Sequence, residues 1–316
     1  MSALSLAARR LRLLVVLTLA ASGVHSSGVA GAQAPDPRAA IVVTPAWLAQ
    51  HLHDADLVLL HVGDRAEYDR AHIPGARFVS LRDVSVSSMD HDKGLMLEMP
   101  GADTLRAQLQ RLGIGDRSRV VVYYGNDWVS PATRVMFTLD YAGLGARSAL
   151  LDGGMPAWVA ASQAVTAAVP DERVGALSPL RPRPIVVDAA WVRSRLGTPG
   201  FHLIDGRAAV YYDGVEEAGP RKGHVAGARN VPFTSVTDEH LRLRTPAELA
   251  ALFEAAGVGP RDTVVAYCHI GQQATAVLFA ARSLGHPVLL YDGSYQEWSR
   301  RTDLPVENPA AGGSGR

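Results

Sequence analysis

With 316 residues, 47% of them hydrophobic and 20% charged, the chain has the composition of a globular protein and the length for two packed domains. Its 31 basic and 31 acidic side chains cancel to a formal net charge of zero, which excludes a strong field drawing nucleic acid or an anionic membrane surface. A single cysteine excludes an internal disulfide, so stability must come from packed cores.

Arg9, Arg10 and Arg12 precede an apolar run from Leu13 to Ala21 that only Thr18 interrupts. The run is too short to span a bilayer as a helix. Small residues follow, with Ala30-Gly31-Ala32 as a cleavage candidate. Residues 1–32 are therefore read as a signal peptide, with an uncleaved anchor as the alternative, and the protein is expected to be exported to the periplasm. The Arg9-Arg10 pair leaves the export route open, general secretory or twin-arginine. Removing this segment takes three arginines and no acids from a net charge of zero, so the mature chain carries −3. No later stretch is long and apolar enough to cross a membrane.

Residues 33–40 read as a flexible lead-in. Residues 41–162 and 185–308 read as two domains that repeat each other, joined by a proline-containing linker at 163–184 and followed by a disordered tail at 309–316. Asp56–His61, followed by Arg65, matches Phe201–Asp205, followed by Arg207. His72-Ile73-Pro74-Gly75-Ala76-Arg77 matches His224-Val225-Ala226-Gly227-Ala228-Arg229. Val120–Tyr124 matches Val264–Cys268, and Leu151-Asp152-Gly153-Gly154 with Trp158 matches Tyr291-Asp292-Gly293-Ser294 with Trp298. Matches in the same order indicate duplication. Leu57–His61, Val120–Tyr124 and Ala149–Leu151 read as buried strands. Thr104–Leu112 and Pro246–Ala256 have helical spacing and end at Gly113 and Gly257, and Thr245-Pro246 with Glu248 marks a helix start. The predicted class is α/β: two tandem domains, each a mostly parallel central sheet flanked by helices.

Val264–Tyr267 is an apolar strand that Cys268 closes. His269-Ile270-Gly271-Gln272-Gln273 follow, and a helix opens near Ala274. Ligands of open α/β sheets bind at the carboxyl ends of strands. A short loop there can turn successive backbone N–H groups inward as an anion nest, and the following helix adds its positive end. Both features lower a thiol's pKa, and the thiolate is the nucleophile. The competing reading is a small buried core cysteine. The matching position in the first half is Tyr124, which cannot serve as this nucleophile, so the first domain reads as non-catalytic.

At these residues the chain resembles the rhodanese family of sulfurtransferases. Tyr68-x-x-x-His72-Ile73-Pro74-Gly75-Ala76-x-x-Val79 fits that family's first signature. Val288-x-x-Tyr291-Asp292-Gly293-Ser294-Tyr295-x-Glu297-Trp298 fits the C-terminal one, except that Trp or Phe is usual at Tyr295. The resemblance spans about residues 41–308 and implies a tandem thiosulfate or 3-mercaptopyruvate sulfurtransferase. It implies that Cys268 takes a sulfane sulfur from a donor as a persulfide and passes it to a thiophilic acceptor such as cyanide or a thiol. The amides of residues 269–273 would hold the persulfide, no metal or organic cofactor is needed, and the partners are these small molecules. A monomer is the default.

The loop Cys268-His269-Ile270-Gly271-Gln272-Gln273 matches neither the cationic loops of thiosulfate-using members nor the Gly/Ser loops of mercaptopyruvate-using ones. His269 is expected to be partly cationic near neutral pH, and this favours thiosulfate slightly. Gln272 and Gln273 offer hydrogen bonds. Arg207 is either a donor contact or the ion-pair partner of an acid, and Tyr211 stands where a second arginine often follows. His72, His224, Asp292 and Trp298 read as framework. A non-turnover persulfide carrier is the alternative function. A cysteine phosphatase or arsenate reductase is weaker, because Ala274 stands six residues after Cys268, where an arginine would hold the oxyanion.

Overall fold

Strands rich in Val, Leu and Tyr form two parallel sheets, as their continuous apolar runs require. The first contains β1 (Val42–Val43), β2 (Leu57–Val62), β3 (Arg77–Phe78), β4 (Arg119–Tyr124) and β5 (Ser148–Leu151), in the order β1-β5-β4-β2-β3. The second contains β6 (Val186–Val187), β7 (Phe201–Asp205), β9 (Arg229–Asn230), β10 (Thr263–Tyr267) and β11 (Val288–Tyr291), in the order β6-β11-β10-β7-β9. Between and after these, β8 (His224–Val225) pairs antiparallel with β12 (Val306–Glu307). The computed structural model describes residues 36–90, 94–126 and 128–312. The signal segment, residues 1–32, lies outside the described residues, as do the first residues of the lead-in and residues 313–316 of the tail.

The register fixes the correspondence between the halves. Val62 pairs with Tyr124 and His61 with Tyr123 in the first sheet, while Asp205 pairs with Tyr267 in the second. His61 is therefore the counterpart of Asp205, and Gly63, not Arg65, falls opposite Arg207. Helices form where the caps direct. Thr245 Oγ1 accepts from the Glu248 amide and the Glu248 carboxylate accepts from the Thr245 amide, starting the helix Pro246–Ala255. The helices Ala102–Arg111 and Pro246–Ala255 run out at Gly113 and Gly257, both with φ of +84°.

The two domains meet through the helices Val129–Tyr141 and Ala274–Ser283, and one apolar cluster runs continuously across the contact. Thr133 and Thr275 hold equivalent positions on these helices, and their hydroxyls lie 3.1 Å apart. Each domain also sends a strap over the other. Val86 pairs with Glu98 at the neck of one strap, Leu97 takes φ of +56°, and the Met99 amide donates to Asp292 at 2.6 Å. In the reciprocal strap Thr237 pairs with Leu243, Leu241 takes φ of +60°, and the Leu243 amide donates to Asp152 at 3.0 Å. Each strap thus caps the acid that follows the other domain's β5 or β11.

Residues 163–184 contain no helix or strand, yet they are fastened to the first domain. Thr166 pairs with His72, Arg77 donates to the carbonyls of Asp171 and Arg173, and Ser178 bonds Asp116 at 2.7 Å. The segment that links the two domains is thus a strap docked on the first of them. The tail departs from the sequence reading. Pro309–Gly312 form a helical turn, and the Ala310 amide reaches the Asp213 carbonyl at 3.0 Å.

Candidate active site

Cys268 stands at the carboxyl end of β10, completely buried. The backbone N–H groups of Ala274, Ile270, Gly271 and Gln273 lie near its sulfur and favour its anion. Gly271 permits this curl, because its φ is +81° and a Cβ there would sit 3.0 Å from Arg134 Nη1 and 3.1 Å from Asp292 Oδ1. The loop is pinned from below as well. The Tyr295 and Gln296 amides donate to the carbonyls of Cys268 and His269, both at 2.9 Å, and the Thr275 hydroxyl donates to the Gln272 carbonyl at 2.6 Å. Ala274, the first residue of the following helix, adds its amide to those of the loop residues Ile270, Gly271 and Gln273.

Burial pushes the Cys268 thiol above its ordinary value, and the four N–H groups pull it down by less. Desolvation outweighs the amides and the helix end from which a lowered pKa is expected on sequence alone. The rate of thiol alkylation or sulfur loading should therefore rise with pH up to and beyond about 8.5, the ordinary cysteine value. A plateau reached below pH 7 would contradict this.

His269 corrects a second expectation. Its pKa falls to about 4, chiefly through burial and then through the charge of Arg207, so the ring is neutral at pH 7. It stands edge-on to Tyr211, with ring centroids 4.8 Å apart. The cation that was to favour thiosulfate is absent at neutral pH. The pH profile of loading should accordingly show no step near 6.5 from His269.

Of the two readings of Arg207, the structure has the ion pair. Arg207 and Asp205 are both fully buried, with Arg207 Nη2 2.6 Å from Asp205 Oδ2 and Nε within 3.0 Å of Oδ1. Nη2 also donates to the Gly223 carbonyl at 2.8 Å, and the guanidinium lies 4.0 Å from the Tyr295 ring centroid. Ion pairing and the neighbouring tyrosines offset the burial that would otherwise lower its pKa, and the net direction is upward. The ion pair engages Nε and Nη2, while Nη1 has no hydrogen-bond partner among the described residues.

Ile270, Gln272 and Gln273 are partly exposed. Gln272 Nε2 lies 3.3 Å from Ser130 Oγ of the first domain, and Gln273 Oε1 has no hydrogen-bond partner among the described residues. His72 and His224 are framework: each is buried, stacks on a tyrosine (Tyr68 or Tyr212), and lies with Nδ1 2.7 Å from that tyrosine's carbonyl. Tyr124, the counterpart of Cys268, is buried, and its hydroxyl donates to the Leu241 carbonyl at 2.6 Å. Sequence reasoning missed Arg134, which reaches into the loop from the other domain, and the two straps.

A model of the rhodanese-like domain matches the chain twice, over residues 44–161 and 188–301. The chain is 32% identical over 271 residues to a thiosulfate sulfurtransferase of Pseudomonas aeruginosa, covering 84% of this chain and 97% of that protein. It is 31% identical over 276 residues to the 3-mercaptopyruvate sulfurtransferase of Escherichia coli, covering 83% and 95%. Among solved structures it matches the anaerobic ergothioneine biosynthesis enzyme from Chlorobium limicola with a TM-score of 0.75, at 21% identity over 86% of this chain and 70% of that one, a likeness of fold. With two matched domains and relatives aligned along most of its length, the chain belongs to the rhodanese family of sulfurtransferases.

Proposed function

We propose that the protein moves a sulfane sulfur from a small anionic donor to a thiophilic acceptor, with Cys268 as the carrier. The observation that supports this best is the chain's one thiol set among four inward backbone amides. With thiosulfate, the Cys268 thiolate attacks the outer sulfur, the S–S bond breaks, and sulfite leaves. The new persulfide carries a terminal sulfur anion that the amides can bind without reorganising. Cyanide then takes the terminal sulfur, giving thiocyanate and restoring the thiolate. With 3-mercaptopyruvate the C–S bond breaks and pyruvate leaves after protonation. A non-turnover carrier would load one sulfur and stop, so steady formation of thiocyanate over many cycles supports the enzyme. A single stoichiometric burst would overturn it.

The neutral His269 favours one donor over the other. Arg207 is paired with Asp205 and Arg134 with Asp292, so each guanidinium already has its charge offset by a carboxylate before a dianion arrives. A donor with one carboxylate loses less on entering such a mouth than doubly charged thiosulfate does. The expected result is a kcat/KM for 3-mercaptopyruvate about tenfold above that for thiosulfate, one charge-assisted contact's worth. A higher value for thiosulfate would refute this preference and leave the sulfur-transfer reading intact.

A further inference from the structure

We propose that Arg134, a residue of the first domain, is a positioning residue for the sulfur-carrying loop of the second; the proposal rests on the sulfur-transfer reading of Cys268. Arg134 is fully buried in the helix Val129–Tyr141. Its Nη1 donates to the Gly271 carbonyl at 3.1 Å and to Asp292 Oδ1 at 2.9 Å, and its Nη2 donates to the Leu97 carbonyl. One guanidinium therefore joins the loop, the acid after β11 and the strap that caps that acid. Asp292 is held from its other oxygen by the Met99 amide at 2.6 Å.

The effect on the loop follows from peptide geometry. Gly271 is the left-handed residue of the curl, and its own N–H is one of those near the Cys268 sulfur. The Gly271 carbonyl shares its peptide unit with the Gln272 N–H, so holding that carbonyl fixes the ψ of Gly271 and the peptide plane next to the one that supplies the Gly271 N–H. A carbonyl turned toward the sulfur would set a negative dipole against a thiolate or persulfide anion. Arg134 holds the Gly271 carbonyl on the far side with a charge-assisted bond, so the nest stays open to an anion.

The arrangement runs one way only. Thr133 and Thr275 are equivalent across the two halves, as are Gly143 and Gly285 beyond the ends of the two helices, and the same spacing puts Ala276 opposite Arg134. The second domain has no arginine to return at that position, and the loop it would serve follows Tyr124, not a thiol. Ser130, one turn earlier on the same helix, meets Gln272, so the helix touches the loop at two points. This gives the domain without the nucleophile a part in positioning the loop that carries it.

The test compares the full chain with Arg134→Gln and Arg134→Lys, using 3-mercaptopyruvate and thiosulfate as donors. Two readouts are taken: the single-turnover rate of sulfur loading, and the pH profile of Cys268 alkylation by iodoacetamide. Arg134→Gln should load about 10- to 100-fold more slowly, the loss of one charge-assisted contact, with the thiol profile moved to higher pH. Arg134→Lys, which keeps the charge but not the fork, should fall between it and the wild type. Arg183→Gln, which breaks the contact to Asp140 at the same interface without touching the loop, should leave both readouts unchanged. A purely structural Arg134 would lower the unfolding midpoint while leaving rate and profile as in the wild type, and that result overturns the proposal. If the glutamine variant does not fold, the lysine variant decides by the same two readouts. If the wild type itself gains no sulfur, it is the sulfur-transfer reading that fails.

Discussion

Cys268→Ser is expected to lose sulfur transfer by more than about 10⁴-fold, since it removes the group that forms the covalent intermediate. Serine keeps the size and the hydrogen-bonding capacity of the side chain inside the four amides. Its hydroxyl does not form a persulfide, and its pKa lies far above any working pH. The fold should survive, because Cys268 forms no disulfide and the loop is held by Gly271, Thr275, Tyr295 and Gln296 through contacts the sulfur does not make. Thiocyanate formation and the denaturant midpoint should be measured on the same sample. An active serine variant would contradict the mechanism. An inactive and unfolded one would move the blame to packing.

Arg207→Ala is expected to cost about 3–5 kcal/mol of stability, the usual consequence of stranding one charge of a buried pair. Neither partner is exposed, so water cannot take over the role of the missing guanidinium for Asp205. Arg207 also ties the Gly223 carbonyl and lies over Tyr295, whose amide holds the Cys268 carbonyl. Removing both charges, in Asp205→Ala with Arg207→Ala, should recover part of the loss, because the uncompensated carboxylate goes with its partner. Urea unfolding of the two variants and the wild type decides the matter. A single variant of wild-type stability with a raised KM for the donor would restore the donor-contact reading of Arg207.

Most of the fold was legible because its signals are local. Apolar runs gave β2, β4, β5 and β10 to within a residue or so, and Gly113 and Gly257 marked helix ends through the backbone angle they alone adopt easily. The motifs around His72 and His224, matched in order with those at the strand ends, made the duplication visible. The position of Cys268 followed from the same pattern, a strand followed by a glycine loop and a helix.

What stayed hidden depends on tertiary surroundings. Arg134 reads in sequence as one more helix arginine, and its partners Gly271 and Asp292 lie 137 and 158 residues away. The straps over Asp152 and Asp292 lie in irregular segments with no periodicity. The charge of His269 and the pKa of Cys268 were misjudged for one reason: residue type gives the ordinary pKa, while burial sets the shift. The docking of the linker at 163–184 was hidden for the same reason, since prolines mark the absence of helix but say nothing about carbonyls docked on Arg77.

The most direct test of the central claim is the intact mass of the full chain after incubation with sulfur donor and removal of excess reagent, followed by peptide mapping. The expected result is a gain of one sulfur atom, located on the peptide that contains Cys268 and released when cyanide is added. An unchanged mass, or added sulfur that cyanide does not remove, would contradict it.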